Sequence, residues 1–169
     1  DKAAVQRAVS DVQLWQEAGG LAGRLVLAFA AVHVLRRRWL YWAFQIPGLL
    51  VVPFVFATAL RWPLSSLKGL VLVSGALTVG LFSFWGNYLP RVYPVGLRGT
   101  GEGFAANVGG RMMGTWAAWG ATSLAASGVM TGWLPGGTPP AKLALAAAVV
   151  AGSAHGIATV VSLWLPPEI

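Results

Sequence analysis

The chain contains no cysteine, which rules out a disulfide, a thiolate metal site or a cysteine nucleophile. Charge is also scarce: 10% of residues are Asp, Glu, Lys or Arg, against ~25% in soluble domains. Acids are the scarcest of all, limited to Asp1, Asp11, Glu17, Glu102 and Glu168. Spread so thinly, they form no paired-carboxylate centre, and no serine or histidine has an acid partner in a catalytic pattern. His33 and His155 fall on different segments and do not make a metal site. "GTGEG" at 99–103 lacks the Lys-Ser/Thr ending and the preceding strand of a phosphate loop. No enzyme constellation is present, and nothing in the sequence calls for a cofactor. The start, "DKAAVQRAVSDVQ", has no apolar core beside its basic residues and is not a signal peptide.

Apolar residues are abundant. They make up 56% of the chain, which also carries nine tryptophans. A soluble protein with so little charge has no means of covering its surface. A bilayer removes the difficulty, and tryptophan suits its interfaces. The composition therefore predicts an all-α integral membrane protein. The net charge of +7 does not point to nucleic acid, because the basic residues punctuate apolar runs instead of clustering on a polar face. Anionic lipid head groups are the better partner.

A crossing helix needs ~20 apolar residues, and five segments qualify: 14–35, 40–60, 67–89, 102–129 and 143–165. Arg36, Arg37 and Arg38 stop the first, "RWP" the second, Pro90 the third, "GWLPGGTPP" the fourth, and Pro166 and Pro167 the fifth. Pro47 and Pro53 predict a bend in the second crossing, where neighbouring helices satisfy the freed carbonyls. Gly19 and Gly23, Gly110 and Gly114, and Gly152 and Gly156 recur at a spacing that allows close helix approach in lipid. Five crossings put Arg36 to Arg38, Arg91 and Arg98 on one side. Lys2, Arg7, Arg61, Lys68 and Lys142 fall on the other. The tight arginine cluster places the first side in the cytoplasm.

The stretch "YLPRVYPVGLRGTGEGF" resembles the loop and helix start in the C-terminal half of major facilitator superfamily transporters, in the sugar-porter and metabolite–proton symporter branches. Pro90, Pro94, Arg98, Gly99, Thr100, Gly101, Gly103 and Phe104 match that pattern. "NVGGR" at 107–111 is similar to the N-x-G-R run that follows it. "GGLAGRLVLAF" with "RRR" is similar to the eighth helix and its basic turn, and "WLPPEI" to the ending after the twelfth. The resemblance implies helices eight to twelve of a twelve-helix transporter in the cell membrane. Such a protein moves a small solute, an organic acid or sugar-like metabolite, in branches that include proton-coupled members. Five helices cannot form both walls of a solute path, so a piece of a longer polypeptide is expected. A transporter-derived structural subunit in a larger membrane complex is the alternative. Two departures bear on gating. Arg91 stands where the family has a glutamate, and "HVLRRR", with His33, where it has an aspartate. Arg91 should therefore repel Arg36 to Arg38 unless they are kept apart or anions are supplied by lipid phosphates, Glu168 or a partner.

Ionisable groups inside the membrane are costly and mark solute or proton pathways. Glu17 and Arg24 are seven residues apart, on roughly one helix face. They are placed to contact a solute or a neighbouring helix, though Glu17 also suits the water interface. Asn107 and Arg111 share a face. Arg111 is a candidate either for an anionic substrate or for a structural contact between the third and fourth crossings. His155, near the middle of the fifth crossing, fits a proton relay or a hydrogen-bonded packing role beside Gly152 and Gly156. Gln45, Ser74, Thr78 and Asn87 are further polar positions. The loop motif itself (Pro90, Arg91, Pro94, Arg98, Gly99, Gly101, Gly103) is expected to shape a turn, its glycines letting the next helix start close to its neighbours.

Overall fold

The long apolar runs fold as long helices in the computed structural model, which describes residues 2–34 and 37–166. Asp1, Leu35, Arg36 and the Pro167–Glu168 ending of the sequence motif lie outside the described residues. Among the described residues every regular element is helical and there is no strand. The α-helices are α1 Lys2–His33, α2 Arg37–Thr58, α3 Leu64–Thr78, α4 Leu81–Val92, α5 Arg98–Phe104, α6 Met112–Ala126, α7 Gly128–Trp133 and α8 Pro139–Val161. A π-helical segment, Ala105–Arg111, joins α5 to α6. Three stretches, Arg37–Arg61, Leu64–Val92 and Pro139–Trp164, are long and apolar enough to cross a membrane. The other two expected crossings fall on α1, which carries Glu17 and Arg24, and on the α5–α6 rod, which carries Glu102 and Arg111.

Several boundaries differ from the apolar pattern. Helix α1 starts at Lys2, well before residue 14, because "KAAVQRAVSDVQ" favours helix although it is polar. Asp11 in that extension pairs with Lys68 of α3 at 2.7 Å. Pro90 does not end its helix, since α4 continues to Val92; so close to the terminus, the missing N–H removes a single bond. Helices α3 and α4 meet at Val79 and Gly80, whose backbone stays in the right-handed helical region, so Leu64–Val92 runs on as one stretch. The fourth crossing begins at Arg98 and breaks at Ser127, before α7. Helix α2 runs through both Pro47 and Pro53.

Neighbouring helices form a row: α1 packs on α3, α3 on α2, α2 on α8, and α8 on α6. Glycine sets the first of these contacts. A methyl on Gly19 would overlap the Leu72 carbonyl, one on Gly23 the Ala76 carbonyl, and one on Gly75 the Gln16 carbonyl. The two backbones therefore meet directly, as small-residue seams in lipid do. The other expected glycine pairs behave differently. Gly152 touches the Pro53 ring, with 3.4 Å between Pro53 Cγ and an added Cβ, while Gly110, Gly114 and Gly156 face open space. The expected Gly110–Gly114 packing is absent because α6 presents that side to no helix. At one end of the row Leu27, Leu40, Tyr41, Phe44, Leu81, Phe84 and Tyr88 form a buried cluster. Phe84 and Tyr88 stack there with ring centroids 5.3 Å apart. Aromatic pairs of this geometry add to what close packing alone contributes.

Candidate functional site

The five candidate pathway residues are not brought together. Glu17 and Arg24 are both exposed on α1, and neither makes a hydrogen bond or ion pair to a neighbouring helix. Asn107 and Arg111 are exposed in the π-helical segment. Asn107 Nδ2 donates to the Gly103 carbonyl at 2.9 Å, a bond within its own helix. The contact expected of Arg111 with the third crossing is not formed: α5 packs on α4, but Arg111 is exposed and α6, which follows it, packs on α8. Only His155 sits in a helix seam, its ring Cε1 3.1 Å from where a Cβ on Gly48 would lie.

That seam holds a polar ladder between α2 and α8. Gln45, 2% exposed, donates from Nε2 to the His155 carbonyl at 2.9 Å and to Thr159 Oγ1 at 3.4 Å. Thr159 Oγ1 donates to the same carbonyl at 2.8 Å. One turn further, Trp42 Nε1 donates to Ser162 Oγ at 2.8 Å, and Ser162 Oγ donates to the Thr159 carbonyl at 2.6 Å. Every donor has an acceptor, so the ladder joins the helices without an unsatisfied buried group. Gln45 is visible in the sequence as a polar residue in an apolar run. Its partners 110 residues away are not, because only the fold pairs them.

The loop motif forms a tight turn. Pro94 starts a 3-10 turn over Val95–Leu97, closed by Leu97 N–H donating to the Pro94 carbonyl at 2.8 Å. Arg98 Nε donates to the Tyr93 carbonyl at 3.3 Å. The Tyr93 ring lies over Gly101, where an added Cβ would come within 2.7 Å of Cδ1. Gly101 therefore provides the close approach expected of the glycines. Gly99 and Gly103 do not, since both face open space.

Beside the aromatic cluster, α1, α2 and α4 line a partly open cavity of about 410 Å³. Leu27, Leu40 and Phe84 form its buried floor. Ser83, Asn87 and Arg91 line it from α4 at four-residue spacing, on one helix face. Arg37 lines it from the start of α2 and donates from Nη1 to Asn87 Oδ1 at 3.0 Å. Arg37 and Arg91, expected to repel, both line this one cavity. Among the described residues the polar part of this lining is Arg37, Ser83, Asn87 and Arg91. Sequence reasoning placed Arg37 and Arg91 on one side of the membrane but did not bring them to one pocket.

No protein-family model matches the chain, and neither curated proteins nor solved structures provide a match.

Proposed function

We propose that the chain is the C-terminal portion of a facilitator-type secondary transporter, an integral membrane protein of five crossings that moves a small organic-acid or sugar-like solute across the cell membrane. The observation that carries this reading is the segment from Pro90 to Phe104. Its prolines, Arg98 and Gly101 match the family pattern; in the fold Pro94 opens a turn in which Tyr93 bridges Arg98 and Gly101, while Pro90 lies within α4. Three stretches of membrane length in the same chain also support it. A second reading, a transporter-derived structural subunit, draws on Arg91, which replaces the family's gating glutamate.

Reconstitution tests the proposal. Proteoliposomes holding the full chain are offered labelled sugars and organic acids, with and without a pH gradient. Arg91 is then changed to glutamate. Transport predicts flux in the wild type and an altered rate in R91E, because the substitution restores the family's charge pairing. Flux absent from both overturns transport by this chain alone and leaves the structural subunit.

A further inference from the structure

We infer that the end of the bundle formed by the close of α2, the end of α7 and the start of α8 is a binding surface for anionic phospholipid head groups, carried by Arg61 and Lys142. The inference rests on the membrane part of the function proposed above and not on transport. Helix register brings the two cations to one end. Gln45 of α2 bonds the His155 carbonyl, and Pro53 meets Gly152, so α2 and α8 run antiparallel. Continued beyond Pro53 to Arg61, that register reaches Ala144, within one turn of Lys142, where α8 packs on Ala59–Arg61. Lys142 is held there by Thr131, whose Oγ1 accepts from Nζ at 3.1 Å. The same bond draws the end of α7, with Trp133, to this level.

Each cation stands beside an exposed tryptophan, Trp62 next to Arg61 and Trp133 near Lys142. An indole ring, apolar in its body and polar at its N–H, is favoured where head groups meet acyl chains. The opposite end supplies the scale. From Trp39 to Arg61, and from Lys142 to Trp164, the chain rises about 33 Å as helix, close to the ~30 Å hydrocarbon core. With the exposed Trp39 and Trp164 in one head-group layer, Arg61 and Lys142 reach the other. No neighbouring carboxylate competes for them: residues 37–68 and 128–166 contain no Asp or Glu, and Asp11 is taken up by Lys68 at 2.7 Å. A zwitterionic lipid brings a cation with its phosphate. An anionic lipid does not, which is worth about fivefold in affinity for each basic residue near the surface.

The test uses the full chain in nanodiscs of phosphatidylcholine containing a graded fraction of phosphatidylglycerol. Native mass spectrometry counts each lipid retained per chain. The expected result is retention of phosphatidylglycerol above its share of the disc, weakened by salt. R61Q and K142Q should each raise the phosphatidylglycerol fraction needed for half-maximal retention about fivefold. R61K and K142R keep the charge and should behave as wild type, and unchanged circular dichroism of R61Q and K142Q separates lost binding from misfolding. K2Q removes the same charge from the start of α1, the outermost helix of the row, and should change nothing. An equal effect of K2Q shows a response to net charge alone and overturns the surface. Retention of both lipids in the proportion of the disc also overturns it, while leaving the membrane reading intact. A chain that does not enter the discs at all overturns both.

Discussion

Substituting alanine for Gly23 probes the contact that sets the helix row. The new methyl would overlap the Ala76 carbonyl, which is backbone and cannot swing aside as a side chain would. Helix α1 must move away from α3, or α3 must deform. Overpacking of this kind costs ~1–3 kcal/mol. Moving the backbones apart also weakens Cα–H···O contacts worth ~0.5–1 kcal/mol each. Alanine's higher helix propensity returns ~1 kcal/mol. The net expectation is about 1–3 kcal/mol of destabilisation. Gly19→Ala meets the Leu72 carbonyl on the same seam and should cost a similar amount. The double variant should cost less than the sum, because one displacement of α1 makes room for both methyl groups. Gly114→Ala is the control: its added Cβ meets nothing within 4 Å, so it should be neutral or slightly stabilising. Unfolding of purified protein in micelles, followed by far-ultraviolet circular dichroism, measures all four. A Gly23→Ala protein as stable as wild type, or Gly114→Ala equally damaging, would refute the direct backbone contact.

Three further predictions concern the turn, the seam and the topology. Gly101→Val should lower membrane abundance by forcing the Tyr93 ring off α5, whereas Gly99→Val should not; blotting of membrane fractions compares them, and normal abundance of Gly101→Val would contradict the packed turn. Gln45→Leu should cost about 0.6–1.7 kcal/mol, the range of hydrogen bonds between membrane helices, because Thr159 still satisfies the His155 carbonyl. Gln45→Glu should cost more, since it buries an acid whose oxygen faces that carbonyl; equal stabilities in the same unfolding assay would show that the ladder does not hold the seam. With five crossings, single cysteines replacing Arg38 and Thr138 should label from opposite sides of sealed vesicles, and labelling of both from one side would end that topology.

The sequence and the fold agree best where a property depends on one segment alone. Segment 40–60 lies within a stretch of membrane length, and 143–165 falls on another but for its last residue, because unbroken apolar runs have few other stable forms in lipid. Agreement fails where a neighbour decides. In "SGALTVGLF" Gly80 is the one local sign of the join between α3 and α4 at Val79 and Gly80. It lies where α1 presses close, with Gly23 Cα 3.2 Å from a Cβ on Gly80. Gly19–Gly23 and Gly110–Gly114 have the same spacing in sequence, yet only the first faces another backbone. The π-helical stretch over Ala105–Arg111 is likewise hidden in an apolar profile, which measures length and not winding. For the candidate sites, residue type was readable and association was not. Arg37 and Arg91 stand out as charges, and Gln45 as a lone amide. Their meeting places depend on which helices become neighbours in the row.

The row also imposes a schedule on biogenesis. Gln45 leaves the ribosome 110 residues before His155, whose carbonyl it binds, and Trp42 leaves 120 residues before Ser162. Helix α1 can dock as soon as α3 is made. Helix α2 gains α3 on one flank and then waits for the last long helix to cover the other. Throughout that interval its amide and indole N–H groups lack their final acceptors, which is costly in the water-poor medium that the proposed membrane location implies. The nascent protein therefore carries a polar flag that α8 alone removes, so cellular surveillance of exposed membrane amides would distinguish finished from unfinished chains. Nascent chains stalled at Thr138 should be degraded faster than full-length ones, and Gln45→Leu should narrow the difference; equal lifetimes of all of them would show that the flag is not read.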